Sequence, residues 1–156
     1  WEVELCVVIG APVRRARGEA AAAAIAGFTV LNDITCRDWQ FRTREWLQGK
    51  NWDSTTPVGP WLVTPDEVGG VRPALKVTCS VDGVVMQSDT TGDLLFDPVD
   101  LVKYVSTMVR LNPGDVIATG TPGGVGAGFK PPRFLVAGDR VRIEIEGVGR
   151  LENPVA

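Results

Sequence analysis

The chain has 156 residues, 44% of them apolar and 22% charged, which is enough for one domain with a real hydrophobic core. A net charge of −3 with scattered basic residues removes the electrostatic case for a nucleic acid or an anionic membrane as partner. No apolar run approaches the about 20 residues of a membrane-spanning helix, the longest being the alanine-rich stretch around EAAAAAIAGF.

In chain order, Trp1-Glu2 is neither an initiator methionine nor a signal peptide, and residues 2–9 read as a strand already under way, so an upstream segment is expected. Arg14, Arg15 and Arg17 form the only tight basic group and read as a solvated loop. Residues 19–25 follow as a possible helical turn, then a second strand over 28–34 that is expected to pair with the first. RDWQFRTREWLQG places Trp39, Trp46 and Leu47 at roughly helical spacing before Gly49, which predicts a short helix or helical turns. LKVTCSVDGVVMQSDT predicts a hairpin, with Asp82-Gly83 supplying the positive φ of a type I′ turn. Asp97 as N-cap and Pro98 at the first position start the best helix, whose apolar stripe of Leu101, Tyr104, Val105 and Met108 is expected in the core. Val141, Ile143 and Ile145 alternate with charges in a half-exposed strand that turns at 147–149. Strands outnumber helices, so the class is β-rich α+β. Cys6, Cys36 and Cys79 form no C-x-x-C and have no histidine to join them at a zinc ion, so they read as reduced, buried thiols of a cytoplasmic protein.

The acids are the informative residues. Alternation along a strand puts Glu2 and Glu4 on one face, and Leu31, Asp33 and Thr35 on one face of the second strand. If the strands are neighbours, Glu2, Glu4 and Asp33 converge, and their mutual repulsion asks for a compensating divalent cation. A ligand set of oxygen alone selects a hard ion, Mg²⁺, Mn²⁺ or Ca²⁺. The competing arrangement leaves the glutamates on a frayed, solvated strand end, with Asp33 capping a helical segment or pairing with Arg37.

Four ordered stretches, EVELCVVIG, GFTVLNDITCRDWQ, GKNWDSTTPVGPWLVTPDEV and LNPGDVIATGTPGGVG, resemble the C-terminal catalytic domain of the fumarylacetoacetate hydrolase family and span nearly the whole chain. The resemblance implies one catalytic domain over residues 1–156, a mixed β-sandwich roll assembled as a homodimer, and metal ligation by Glu2, Glu4 and Asp33. It further implies that Arg37 and Gln40 face the substrate, that Lys50 stands beside the metal to stabilise a developing enolate, and that Thr121 offers donors to a substrate carboxylate. Arg37 could instead pair with Asp33 or Asp38, and Lys50 could be an ordinary surface lysine. The glycines from Gly120 to Gly128 lack the G-K-[ST] ending of a phosphate loop and so do not read as a nucleotide site. Gly59-Pro60, Trp52 and Trp61 read as loop shaping and core.

In such a family a 2-oxo acid chelates the ion, which polarises the carbonyl and stabilises an enolate. Hydrolysis of a C–C bond in a 2,4-dioxo acid is the first expectation. Isomerisation of a hydroxydienedioate and decarboxylation of oxaloacetate are the alternatives through the same enolate, and a non-catalytic metal-binding domain is a further one. The His-Glu pair that hydrolytic members carry on an N-terminal lid is not among these residues.

Overall fold

In a computed structural model, which describes residues 1–156, eight strands form two four-stranded sheets. The first has the order β3-β2-β1-β6, from β1 (Val3–Ile9), β2 (Ile25–Asn32), β3 (Val58–Val63) and β6 (Val116–Ala118). The second has the order β5-β4-β7-β8, from β4 (Lys76–Val81), β5 (Val84–Thr90), β7 (Arg140–Ile145) and β8 (Gly149–Pro154). Every pairing between strands is antiparallel. Three α-helices accompany them: α1 (Glu19–Ala23), α2 (Arg37–Gln40) and α3 (Pro98–Met108). None is long and apolar enough to cross a membrane.

The expected strand pair forms, with Val3 opposite Asn32 and Glu4 opposite Leu31. β1 is buried on both faces. Val3, Leu5, Val7 and Ile9 join Phe28, Val30, Val77, Cys79, Val81, Val141, Ile143 and Ile145 in one apolar core. Val3, Leu5 and Val77 line a common cavity, so this face of β1 looks toward the second sheet. Glu2 and Glu4 therefore stand on the other face of the first sheet. The hairpin turns as its sequence requires, at φ of 50° for Asp82 and 80° for Gly83.

Several expectations change. α3 buries Val99, Val102 and Ser106, while Tyr104 and Met108 are 66% and 58% exposed. The apolar arc of this helix is wider than the face it docks, and those two side chains lie beyond its edge. Arg14 is not idle in solvent: its guanidinium donates to the carbonyls of Ser106 (2.7 Å) and Thr107 (2.5 Å), capping the C-terminal end of α3, where a cation is favoured by the helix dipole. Trp52 and Trp61 are largely exposed rather than core, and Trp61 is held by donation to the Val148 carbonyl at 2.7 Å. Gly59-Pro60, read as loop shaping, lies instead in the edge strand β3, an outer position that tolerates Pro60. Cys6 and Cys79 are buried, but Cys36 is only half-buried.

The N-cap expectation holds, since Asp97 accepts from the Asp100 amide at 2.9 Å and pairs with Arg72 at 2.6 Å. Asp97→Ala is expected to cost about 1 kcal/mol of stability, read as a lower urea midpoint with an unchanged m-value.

Candidate active site

Three carboxylates meet where β1 begins and β2 ends. Oxygens of Glu2, Glu4 and Asp33 all lie within 4.8 Å of one another. β2 stops at Asn32, so Asp33 is the first residue past the strand rather than inside it, and its carboxylate is partly open while Glu2 and Glu4 are buried. The pairing continues for one more step, because the Asp33 amide donates to the Glu2 carbonyl at 2.9 Å. That bond keeps Asp33 on the face of Glu2.

Two cations reach into the cluster. Lys50 spans it, with Nζ 2.5 Å from Asp33 Oδ2, 2.8 Å from Glu2 Oε2 and 2.8 Å from Thr35 Oγ1. Its side chain is only 20% exposed, so it is no surface lysine. Its placement follows from Gly49, where an added Cβ would stand 3.0 Å from Gln40 Cα and Cβ. This close approach, together with the Cys36 amide donating to the Gly49 carbonyl at 2.9 Å, presses the 46–49 turn onto α2 and carries Lys50 to the acids.

Arg37 pairs with Glu2 at 2.5 Å, not with Asp33 or Asp38. Its second Nη donates to Gln40 Oε1 at 2.8 Å, across the single turn of α2. Gln40 is almost fully buried, so its amide fixes the guanidinium rather than standing open to a ligand. Thr121 has also spent its hydroxyl, donating to the Val3 carbonyl at 3.0 Å and accepting from Gln87 at 2.8 Å. The loop's direct contact with the acids is the Gly120 amide, which donates to Glu4 Oε2 at 2.7 Å.

Glu4 has no ion-pair partner. Burial raises its pKa from an ordinary 4.5 to about 7, the Asp33 and Glu2 charges push the same way, and the Gly120 amide and the Lys50 charge only partly oppose them.

Three polar residues of the site went unnoticed in the sequence. Thr35 donates to Glu2 at 3.2 Å while accepting from Lys50. Asn32 accepts from the Glu2 amide at 3.0 Å, and Gln87 accepts from the Val3 amide at 3.1 Å. Only the threonine left a signal, two residues from Asp33 on the same face.

An antiparallel sandwich whose first strand opens on two glutamates beside an aspartate, a lysine and an arginine presents a cluster of three carboxylates whose oxygens could hold an ion. The family model described as fumarylacetoacetate (FAA) hydrolase C-terminal matches residues 1–156, and the chain belongs to that family. It is 48% identical over 157 residues to the human mitochondrial protein named oxaloacetate tautomerase FAHD2A, covering 99% of this chain and 50% of the relative. Fumarylacetoacetate hydrolase from Exiguobacterium antarcticum superposes with a TM-score of 0.93 at 40% identity, over 99% of this chain and 55% of that one. 2-Hydroxyhepta-2,4-diene-1,7-dioate isomerase from Mycobacterium marinum does so with 0.86 at 39% identity, over 98% and 56%. The chain thus spans about half the length of the relatives it matches. These relatives are enzymes by name, a tautomerase, a hydrolase and an isomerase. The human relative is a mitochondrial protein by name, so the cytoplasmic expectation is not carried further.

Proposed function

We propose that this chain is the catalytic domain of an enzyme that acts on a short 2-oxo acid through an enolate, with Glu2, Glu4 and Asp33 as ligands of a divalent cation. One observation carries the reading: three carboxylates within 4.8 Å of one another, of which Glu2 pairs with Arg37 and Lys50, and Asp33 with Lys50, while Glu4 is left without an ion-pair partner. The donors are all oxygens, which fits Mg²⁺, Mn²⁺ or Ca²⁺. Such a cation, when bound, polarises a carbonyl oxygen and stabilises enolate charge.

The remaining work belongs to the protein. Lys50 presents a positive charge and transferable protons at the cluster, where an enolate oxygen would otherwise carry uncompensated charge. Arg37, held in orientation by Gln40, offers its planar fork to a substrate carboxylate next to Glu2. The Gly120 amide holds Glu4 in place. Keto–enol proton transfer in an oxaloacetate-like dicarboxylate is the reaction favoured here. It needs one group that gives and takes a proton, and the 48%-identical human relative is named a tautomerase. Hydrolysis of a 2,4-dioxo acid is the second reading, supported by the Exiguobacterium hydrolase, and it asks in addition for a group that takes a proton from water. A homodimer belongs to the same proposal, supported by Leu95 and Phe96, apolar side chains that are 87% and 58% exposed.

The test follows enol-oxaloacetate ketonisation and acetylpyruvate cleavage by the full-length protein with Mg²⁺ or Mn²⁺ and after chelation. Faster, metal-dependent ketonisation is expected. Cleavage of acetylpyruvate alone would put hydrolysis first, and inactivity on both would remove the proposal.

The state of Glu4 sets a pH dependence. Its carboxyl holds a proton below about pH 7, and a cation must displace that proton. Apparent Mn²⁺ affinity is therefore expected to fall by up to about tenfold per pH unit on acidification below neutrality. The ion-free protein has the opposite slope from this group: with a folded pKa of about 7 against an ordinary 4.5, its stabilising contribution is complete below 4.5 and lost as pH rises through 7. Mn²⁺ titration calorimetry across this range checks the first statement, and a flat affinity would remove Glu4 from the ligands.

A further inference from the structure

β6 ends at Ala118, so beside Val3, Glu4 and Leu5 the first strand has lost its neighbour on that side. Backbone groups there still need partners. Thr119 supplies its amide (3.2 Å) and hydroxyl (2.9 Å) to the Leu5 carbonyl, and Thr121 its hydroxyl to the Val3 carbonyl at 3.0 Å. The Val3 amide donates to Gln87 Oε1 at 3.1 Å.

Gln87 comes from the other sheet. It is the one buried residue of β5, 1% exposed, at a position where an apolar side chain would be the ordinary choice. A register shift opposite Cys79 and Ser80 leaves Met86 as an extra residue just before it, and such a bulge re-aims the side chain that follows. Its amide nitrogen donates to Thr121 Oγ1 at 2.8 Å and to the Pro122 carbonyl at 2.9 Å. Both donors and an acceptor of the carboxamide are thus engaged. A flipped amide would face like against like at the Val3 amide and at the Pro122 carbonyl. The loop is shaped to admit the bulge, since a Cβ on Gly124 would lie 2.0 Å from the Met86 carbonyl oxygen.

We propose that Gln87 is a positioning residue for the carboxylate cluster: its buried amide locks the start of β1 to the 120–124 loop and so fixes how Glu4 meets the Gly120 amide. The inference rests on the reading of the cluster as an ion site. Glu2 and Glu4 flank Val3, whose amide and carbonyl are both tied into this network, and Gly120 immediately precedes Thr121. Removing the amide frees both sides of the Glu4 contact at once. No atom of Gln87 need touch substrate.

Gln87→Met fills the same volume but leaves the Val3 amide and the Pro122 carbonyl without partners, so the protein should fold and melt a few degrees below the wild type. The full-length protein, free of metal, is then examined by amide hydrogen exchange. Val3 and Gly120 are expected to exchange at least about tenfold faster, as local opening no longer breaks the shared bonds. Mn²⁺ affinity should weaken by about tenfold and kcat should fall, with KM for the 2-oxo acid nearly unchanged. If Gln87→Met does not fold, Thr121→Val severs the same link at a half-buried position while keeping its shape, and must loosen Gly120 in the same way. Unchanged exchange at Val3 and Gly120 in a folded Gln87→Met, or at Gly120 in Thr121→Val, would overturn the proposal. A wild-type protein that binds no Mn²⁺ would instead overturn the ion site, while the exchange rates still decide the role of Gln87.

Discussion

Asp33→Ala is expected to abolish divalent-ion binding and activity while leaving the domain folded. The side chain stands past the end of β2 and is 22% exposed, so truncating it opens no cavity in the core. The amide of residue 33 would still donate to the Glu2 carbonyl, and Lys50 would keep its 2.8 Å contacts to Glu2 and Thr35. What disappears is one of the three carboxylates proposed as ligands, and with it a negative charge that raises the Glu4 pKa. In the absence of ion, the melting temperature should shift by only a few degrees in either direction, because lost attraction to Lys50 and relieved repulsion oppose one another. With saturating Mn²⁺ the wild type alone should gain stability, as binding to the folded state requires. Undiminished Mn²⁺ affinity in the variant, measured by calorimetry or by its effect on melting, would sink the assignment of Asp33.

Lys50→Met separates charge stabilisation from ion binding. The ammonium contacts two of the carboxylates and so competes with any cation that approaches them. Removing it should leave Mn²⁺ affinity unchanged or tighter. The turnover number should nevertheless fall by about 10²–10³-fold, the range seen when a donor aimed at a developing oxyanion is deleted. KM should change far less, because the lost interaction belongs to the transition state. The ion-free variant should also be less stable than the wild type, since Glu2 and Asp33 lose a partly buried partner, and added Mn²⁺ should recover the difference. A turnover number equal to the wild type would show that the proximity of Lys50 is structural only.

The elements with strong periodicity were legible. Alternation in residues 2–9, Asp82-Gly83, Asp97-Pro98 and the Val141, Ile143, Ile145 run each led to the element observed. Pro60 concealed β3, because proline argues against a strand and only the edge position rescues it. The outward placement of Tyr104 and Met108 could not be read from the stripe they complete, since which part of an apolar arc docks is decided by the partner surface. In the site, the acids were legible as same-face pairs and Lys50 only through family resemblance, because nothing local distinguishes a lysine after a glycine. Gln87 was invisible for a different reason. A side-chain amide that substitutes for a strand neighbour is specified by where another strand ends, here at Ala118, and a linear sequence does not display that.

The amide of Gln87 ties the edge of one sheet to the first strand of the other, across 84 positions of sequence. The groups of the cluster come from residues 2–4, 33–37, 50 and 120, and the side-chain contacts to Glu2 and Glu4 close loops of 33 to 116 positions. Contacts of that kind form late, after the entropy of loop closure has been met by packing. The cluster itself is built on the first sheet and its loops, and the second sheet reaches it only through the hydrogen bond that the Val3 amide donates to Gln87. If the cluster holds an ion as proposed, a stage of unfolding that separates the sheets is expected to weaken its hold by freeing Val3, the residue between the two glutamates.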